Sequence, residues 1–254
     1  MSKVKFESEG RLGVITIDSP PVNALDKQLL GELSDVLDGI GDRVDAVIVT
    51  GAGDKAFVAG ADIKEFPELR GEAGVALCRK GQLIFQKLAD LKQPTIAAID
   101  GYALGGGLEL ALACDFRVAT EKSVLGLPET SLGVIPGYGG TQRLARLIGP
   151  GKAKQLIFTA EAVKAEEACR LGMVEVLAEG DVVEAAKAEA RKILTRGPLA
   201  VQAAKRAVNG GLEKPLEEGL KLEAEQFGSV CDSEDKNEGA AAFIEKRKPN
   251  FQGR

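Results

Sequence analysis

Two glutamates and two small-residue turns carry the chemistry of this chain. Gly105-Gly106-Gly107 opens an apolar run, Leu108-Glu109-Leu110-Ala111-Leu112, in which Glu109 is the single charged residue. Glycines have no Cβ to hold a ligand away from the backbone, and a helix starting there turns its unpartnered N–H groups and positive end outward. That is a cradle for an anion or a developing oxyanion. Ala59-Gly60-Ala61-Asp62 repeats the small-residue theme, and by itself reads equally well as a turn with an Asp N-cap. Taken with Gly105–Gly107, it offers the second N–H of a two-donor oxyanion hole. An ionised Glu109 among leucines is costly to bury. It is either paired with an arginine or projecting from an amphipathic face, or it is a carboxylate tuned for proton transfer. Glu129, behind Pro128, lies in a loop or strand end, either as a solvated loop acid or as its partner. Two backbone donors on one oxygen stabilise an enolate or tetrahedral oxyanion, and two carboxylates can hold a water between them. Proton transfer beside a thioester carbonyl, or conjugate addition of water to it, is the chemistry this set suits.

The rest of the composition narrows the choice. The chain has no histidine, which removes Ser-His-Asp and Cys-His catalysis and every His-ligated metal site. Its four cysteines, Cys78, Cys114, Cys169 and Cys231, are far apart and read as reduced, buried thiols, with no metal set. A net charge of −5 disfavours nucleic-acid binding, and the absence of Trp with only two Tyr leaves few stacking platforms. A glycosidase also uses paired carboxylates, but it needs no oxyanion cradle and its clefts are rich in the missing aromatics. The N-terminus reads as a strand with no leader, and no window is long and apolar enough to span a membrane, so the expected compartment is the cytosol.

The elements that must position these residues alternate between strand and helix. Arg11–Asp18 and Val44–Thr50 read as strands, with a helix between them whose Leu25, Leu29, Leu30, Leu33, Val36, Leu37 and Ile40 share one face. Gly51-Ala52-Gly53-Asp54-Lys55-Ala56 imitates a dinucleotide fingerprint, but no helical period follows it, as that motif requires. A helix is expected over Leu69–Leu91, with Val75, Cys78, Ile84, Leu88 and Leu91 turned to a sheet. The strand Thr95–Ile99 follows Pro94, strands Phe116–Ala119 and Val124–Leu127 come next, and Thr141–Ile148 is helical. Asp181-Val182-Val183-Glu184 forms a capping box, Pro198 opens a helix over Leu199–Val208, and Pro215–Phe227 and Ser233–Lys246 are two more. The expected organisation is α/β, with a core over 1–195 and a helical region over 196–254 suited to oligomer contacts.

At these residues the chain resembles the crotonase (enoyl-CoA hydratase/isomerase) superfamily nearly end to end. The matching motifs are Asn23-Ala24-Leu25, Phe57 to Glu65, Gly101 to Leu110, Leu127-Pro128-Glu129, Ile135 to Leu144 and Phe243 to Phe251. The resemblance implies a spiral of ββα units with a helical C-terminal region that forms trimers, commonly paired into hexamers. It implies that Ala61 and Gly106 N–H groups hold the thioester oxygen of an acyl-CoA, and that Gly137 positions water. Ala24, Ala59, Asp62, Ile63 and Lys64 would line the CoA arm, with Phe243 and Lys246 reaching a neighbour's CoA. Having both Glu109 and Glu129, the chain is similar to the hydratases, which need no cofactor beyond the CoA thioester substrate. The implied reaction is syn hydration of a 2-trans-enoyl-CoA to a 3-hydroxyacyl-CoA. Glu129 would serve Cα and Glu109 the water. Alternatives within the superfamily are an enoyl-CoA isomerase or a specialised 3-hydroxyacyl-CoA dehydratase. An RNA-binding branch uses a lysine-rich helix, whereas here Arg70, Arg79, Lys80 and Lys87 are offset by Glu68, Glu72 and Asp90. Leu108 stands where many relatives carry Cys, Met or Ala, and is expected to reshape the acyl pocket.

Overall fold

The computed structural model describes residues 2–61 and 68–254. It divides into two compact units, Met1–Leu91 with Thr95–Lys187, and Lys92–Pro94 with Ala188–Arg254. In the first unit, β1 (Val4–Glu9) and β2 (Leu12–Ile17) form an antiparallel hairpin. Helix α1 (Lys27–Gly39) is started by Asp26, whose Oδ1 accepts the Leu29 N–H at 2.9 Å, and it buries Leu29, Leu30, Leu33 and Leu37, as the spacing predicts. The chain then repeats one move. A strand enters a first sheet, a second strand enters another sheet, and a helical segment returns.

Three such turns are β3 (Ala46–Gly51), β4 (Ala56–Ala59) and α2 (Gly71–Ala89); β5 (Thr95–Ile99), β6 (Tyr102–Leu104) and α3 (Gly106–Ala113); and β7 (Phe116–Thr120), β8 (Val124–Gly126), a 3-10 turn (Pro128–Leu132) and α4 (Gly140–Ile148). They are followed by α5 (Pro150–Thr159), β9 (Ala162–Lys164), α6 (Ala165–Arg170) and β10 (Val176–Ala178). The first sheet runs β1-β2-β3-β5-β7-β10 and the second β4-β6-β8-β9. Apart from the outer β1–β2 and β8–β9 pairs, every pairing is parallel. This is the α/β spiral of ββα units. Covered on both faces, the inner strands are apolar runs without alternation, and all of β5 is buried. Phe57 and Phe85 are among the largest fully buried side chains, each contributing roughly 2 kcal/mol by burial.

Several expectations need adjusting. On α2 the buried face is Gly81, Ile84, Phe85, Leu88 and Ala89, whereas Val75 is 63% exposed. The sheet is covered by the C-terminal half of that helix only. Of the four free cysteines, Cys114 alone is buried and the others are half-buried. Glu129 sits in a 3-10 turn, not in a loop or at a strand end. Before α7 (Val182–Leu194), the Asp181 side chain accepts from Val183 and Glu184 N–H, while Glu184 itself pairs with Lys187.

The second unit holds α8 (Pro198–Gly211), α9 (Leu216–Cys231) and α10 (Glu234–Glu245). A Cβ added at Gly219 would lie 3.4 Å from the Gly211 carbonyl oxygen, so α8 and α9 meet through glycine backbone. The carboxylate of buried Asp235 accepts the Gln252 and Gly253 N–H groups at 2.6 and 2.9 Å, which ties the C-terminal tail to α10. Leu212, Leu216, Phe227, Phe243 and Ile244 are all more than two-thirds exposed. Among the described residues, no helix is long and apolar enough to cross a membrane.

Candidate functional site

Asn23 builds one wall of the site. It is buried, with φ +56°, a conformation Asn tolerates better than most residues. Its Oδ1 accepts the Ser19 N–H, and its Nδ2 donates to the Ala52 and Ala56 carbonyls at 3.0 and 2.9 Å. That clasp lays the turn containing Ala24 along the end of β4. Leu25 N–H donates to Gly60 O at 2.9 Å, Ala59 N–H donates to Val22 O at 3.0 Å, and Leu25 bridges Ala61.

The triple glycine builds the other wall. Gly105 caps α3 at φ +54°, a region an L side chain rarely adopts. A Cβ at Gly107 would stand 1.9 Å from the Val58 carbonyl oxygen, so only glycine lets α3 press this close to β4. A Cβ at Gly106 would stand 3.7 Å from Ala61 N. The first residue of α3 and the Ala61 peptide nitrogen therefore face the same small space. A side chain at Gly105 would meet Glu129 Oε1 at 3.0 Å, which brings the second carboxylate to the rim of that space.

Glu109 lies one turn into α3 and is 2% exposed. It has no arginine partner among the described residues. Its Oε1 instead accepts two backbone N–H groups, from Tyr138 at 2.7 Å and Gly140 at 2.8 Å. Both come from the turn leading into α4, whose positive end faces the carboxylate. Burial nonetheless pushes the Glu109 pKa up to about 7, with Glu129 adding repulsion and the N–H donors pulling the other way. Glu129 is also raised by burial, and among the described residues no donor reaches its buried Oε2.

Ala59, Ala61, Gly106, Glu109, Glu129 and Gly137 all line one cleft of about 780 Å³, whose other walls include Leu77, Cys78, Leu132, Ile135 and Tyr138. The structure thus brings together both acids, both cradles and Gly137. Ala24 flanks them through the Leu25–Ala61 bridge. Asp62, Ile63 and Lys64 lie outside the described residues. Phe243 and Lys246 belong to the second unit, where Phe243 is 85% exposed and Lys246 ends α10 at φ +56°. Leu108 does not shape the cleft, because it is fully buried in the core and is not among the lining residues. Tyr138 was not singled out from sequence. Its ring packs edge-on against Phe85 at 5.7 Å, and burial pushes its phenol up to about 12. Among the described residues, no group of three or more Cys, Asp or Glu could hold a metal ion.

An arrangement of two small-residue backbone turns and two raised carboxylates suits enolate chemistry. The enoyl-CoA hydratase/isomerase family model matches residues 7–254. The chain belongs to this family. Among its family relatives is the short-chain-enoyl-CoA hydratase of Clostridium acetobutylicum, 45% identical over 98% of this chain and 97% of that one. The crotonyl-CoA hydratase of Syntrophomonas wolfei is 43% identical, covering 97% of this chain and 96% of its own length. The crystal structure of an enoyl-CoA hydratase from Bacillus anthracis superposes with a TM-score of 0.95 at 42% identity, covering 99% of this chain and all of that one.

Proposed function

We propose that the chain is an enoyl-CoA hydratase that reversibly adds water to a 2-trans-enoyl-CoA, giving the 3-hydroxyacyl-CoA. The observation that carries this reading is that buried Glu109 and half-buried Glu129 face one cleft with the Ala61 and Gly106 backbone. Each part then has one task. The Ala61 and Gly106 N–H groups hold the thioester oxygen, on which negative charge grows as the enolate forms. Glu109, supported as an anion by two N–H donors, takes a proton from water as its oxygen bonds to Cβ. Glu129 delivers a proton to Cα, completing syn addition. The cleft protects this division. An acyl chain displaces water from both acids, but Glu109 keeps its protein donors while Glu129 Oε2 has none. With substrate bound, the proton shared by the pair is assigned to Glu129, whereas in the free protein burial and repulsion from Glu129 keep it on Glu109 up to about pH 7. With its carbonyl taken by Gln82, Gly137 would hold the attacking water through its N–H.

Ala24, Ala59, Asp62, Ile63 and Lys64 are assigned to the CoA arm, with Lys64 meeting a phosphate as a point charge. Phe243 and Lys246 are assigned to a neighbour's CoA, and the other exposed apolar residues of α8 to α10 to subunit contacts in a cytoplasmic trimer or dimer of trimers. A short acyl chain is the favoured substrate, on the names of the two relatives above and the apolar cleft walls. The test is loss of enoyl-thioester absorbance on mixing with crotonyl-CoA, with Glu109→Gln and Glu129→Gln alongside. Rapid loss in the wild type, with each variant down by about 10² to 10⁴, supports the reading. Retained turnover of a 3-enoyl-CoA by Glu109→Gln, with no hydration by the wild type, would replace it with a one-carboxylate isomerase.

A further inference from the structure

We propose that Gln82 is a positioning residue for the Glu109 carboxylate, acting through the peptide that joins Gly137 to Tyr138. The Gly137 carbonyl and the Tyr138 N–H are the two ends of one planar, resonance-coupled amide. Gln82 Nε2 donates to the carbonyl end at 2.9 Å, and the N–H end donates to Glu109 Oε1 at 2.7 Å. Behind them Arg79, one turn earlier on α2, donates from Nη1 to Gln82 Oε1 at 3.2 Å. The result is a directed chain from a guanidinium through a side-chain amide and a backbone amide to the carboxylate. Each link polarises the next, so holding the Gly137 oxygen strengthens the N–H that faces Glu109.

The packing shows why a tether is needed there. Tyr138 presses its ring onto α2 so closely that a Cβ at Gly81 would lie 2.3 Å from it, and the ring meets Phe85 edge-on. Those contacts fix the ring but leave rotation of the 137–138 peptide to be set by hydrogen bonding. Gln82 is half-buried and lies beside the apolar stripe of α2, so core packing does not require its amide. The groups facing Glu109 are the Glu129 carboxyl from the 3-10 turn, the Cys78 thiol from α2, the Tyr138 phenol, and the Tyr138, Gly139 and Gly140 N–H groups at the start of α4. Of these, the N–H donors favour the anion, and Gln82 governs the one from Tyr138.

The inference rests on the hydratase reading for its kinetic consequence but not for its electrostatic one, and the experiment separates the two. Gln82→Met keeps the length and removes the donor, while Gln82→Glu keeps the shape and places an acceptor against the carbonyl. Each is compared with wild type for kcat and KM across pH on crotonyl-CoA, for thermal unfolding, and for Glu109 ionisation. The last is read by ¹³C NMR of δ-labelled glutamate, assigned through Glu109→Gln. The expected result is kcat lower by roughly tenfold, nearly unchanged KM, and Glu109 titrating at higher pH, further in Gln82→Glu than in Gln82→Met. An unmoved Glu109 titration in both variants would overturn the proposal, including where kcat falls in step with stability. If the wild type hydrates nothing yet Glu109 titrates higher in the variants, the positioning role stands and the hydratase reading falls.

Discussion

Replacing Glu109 with Gln should abolish activity and at the same time stabilise the protein above neutral pH. The amide keeps an Oε1 that can accept the Tyr138 and Gly140 N–H groups, so the turn before α4 is not disturbed. What disappears is a buried negative charge. The carboxyl ionises near 4.5 as an ordinary glutamate and near 7 here, because burial outweighs its two donors and Glu129 repels it. The sign follows from proton counting. Between those values the folded protein holds a proton that the unfolded chain releases, so wild-type stability falls as pH rises through this window and levels off above about 7. Moving from 4.5 to about 7 corresponds to about 3 kcal/mol. Gln carries no such term. Wild type and Glu109→Gln should therefore unfold alike near pH 4 to 5 and separate with rising pH. Above pH 8 the variant should lead by about 3 kcal/mol, or roughly 6 to 12 °C in midpoint for a chain this long. Urea unfolding at fixed protein concentration, repeated from pH 5 to 9, measures it. A difference that stays flat with pH, or that favours the wild type as pH rises, would refute the claim that Glu109 is a destabilised buried acid.

Other expectations follow from the same geometry. The kcat/KM profile for hydration should be bell-shaped and fall on the alkaline side from about pH 7, as the pair loses the one proton it must keep; stopped-flow absorbance across pH tests this. Gly107→Ala places a Cβ 1.9 Å from the Val58 oxygen and should cost about 3 kcal/mol or more by overpacking, seen as a lowered urea midpoint. Asn23→Ala strands the Ala52 and Ala56 carbonyls and the Ser19 N–H, and should cost roughly 2 to 4 kcal/mol in unfolding while also raising KM through the loosened Ala59–Ala61 wall. With the proposed trimer or hexamer held through this face, Leu212→Glu with Leu216→Glu should lower the mass measured by light scattering to that of a monomer, and a wild type already monomeric would refute the assembly.

Much of the site was legible because its residues break local rules. A lone carboxylate among leucines, three glycines in a row and a second run of small residues are anomalies that need no alignment to notice. Gly105–Gly107 and Glu109 fall where the strand-turn-helix reading put them. The remainder depended on proximity between distant segments. Tyr138 reads in sequence as one residue of a glycine-rich turn, and nothing local shows that its ring lies on Gly81 or that its N–H serves Glu109. Leu108 misled for a related reason. Helix α3 is buried on every side, so no amphipathic pattern separates the residue facing the cleft from its neighbour facing the core. The three-residue strands β6, β9 and β10 are too short to show a period, and α5 and α6 lie in an Ala-, Lys- and Glu-rich stretch with no strong marker between them.

The placing of the two glutamates gives the proposed reaction its direction of charge flow. Two helix N-termini face this cleft. That of α4 is occupied by the Glu109 carboxylate, through Gly140 and the preceding Tyr138, while that of α3, at Gly106, lies beside the Ala61 peptide nitrogen on the cleft wall. As Glu109 takes the proton of water, negative charge leaves the first terminus. It arrives on the thioester oxygen before the second, so the field that loses an anion is matched by one that gains it. Protonation of Cα then leaves the charge on Glu129, whose buried Oε2 has no donor among the described residues. That oxygen is a poor place for an anion once water is excluded, so the proton must be back on Glu129 and the charge on Glu109 when the next substrate is bound. A donor introduced beside Glu129 Oε2 would remove this bias. Cys78 is a cleft-wall residue within the electrostatic reach of Glu109, and lengthening it to a cationic side chain should lower both carboxyl pKa values. Hydration should then slow more than substrate binding weakens, because the acid that must protonate Cα would be held as its anion.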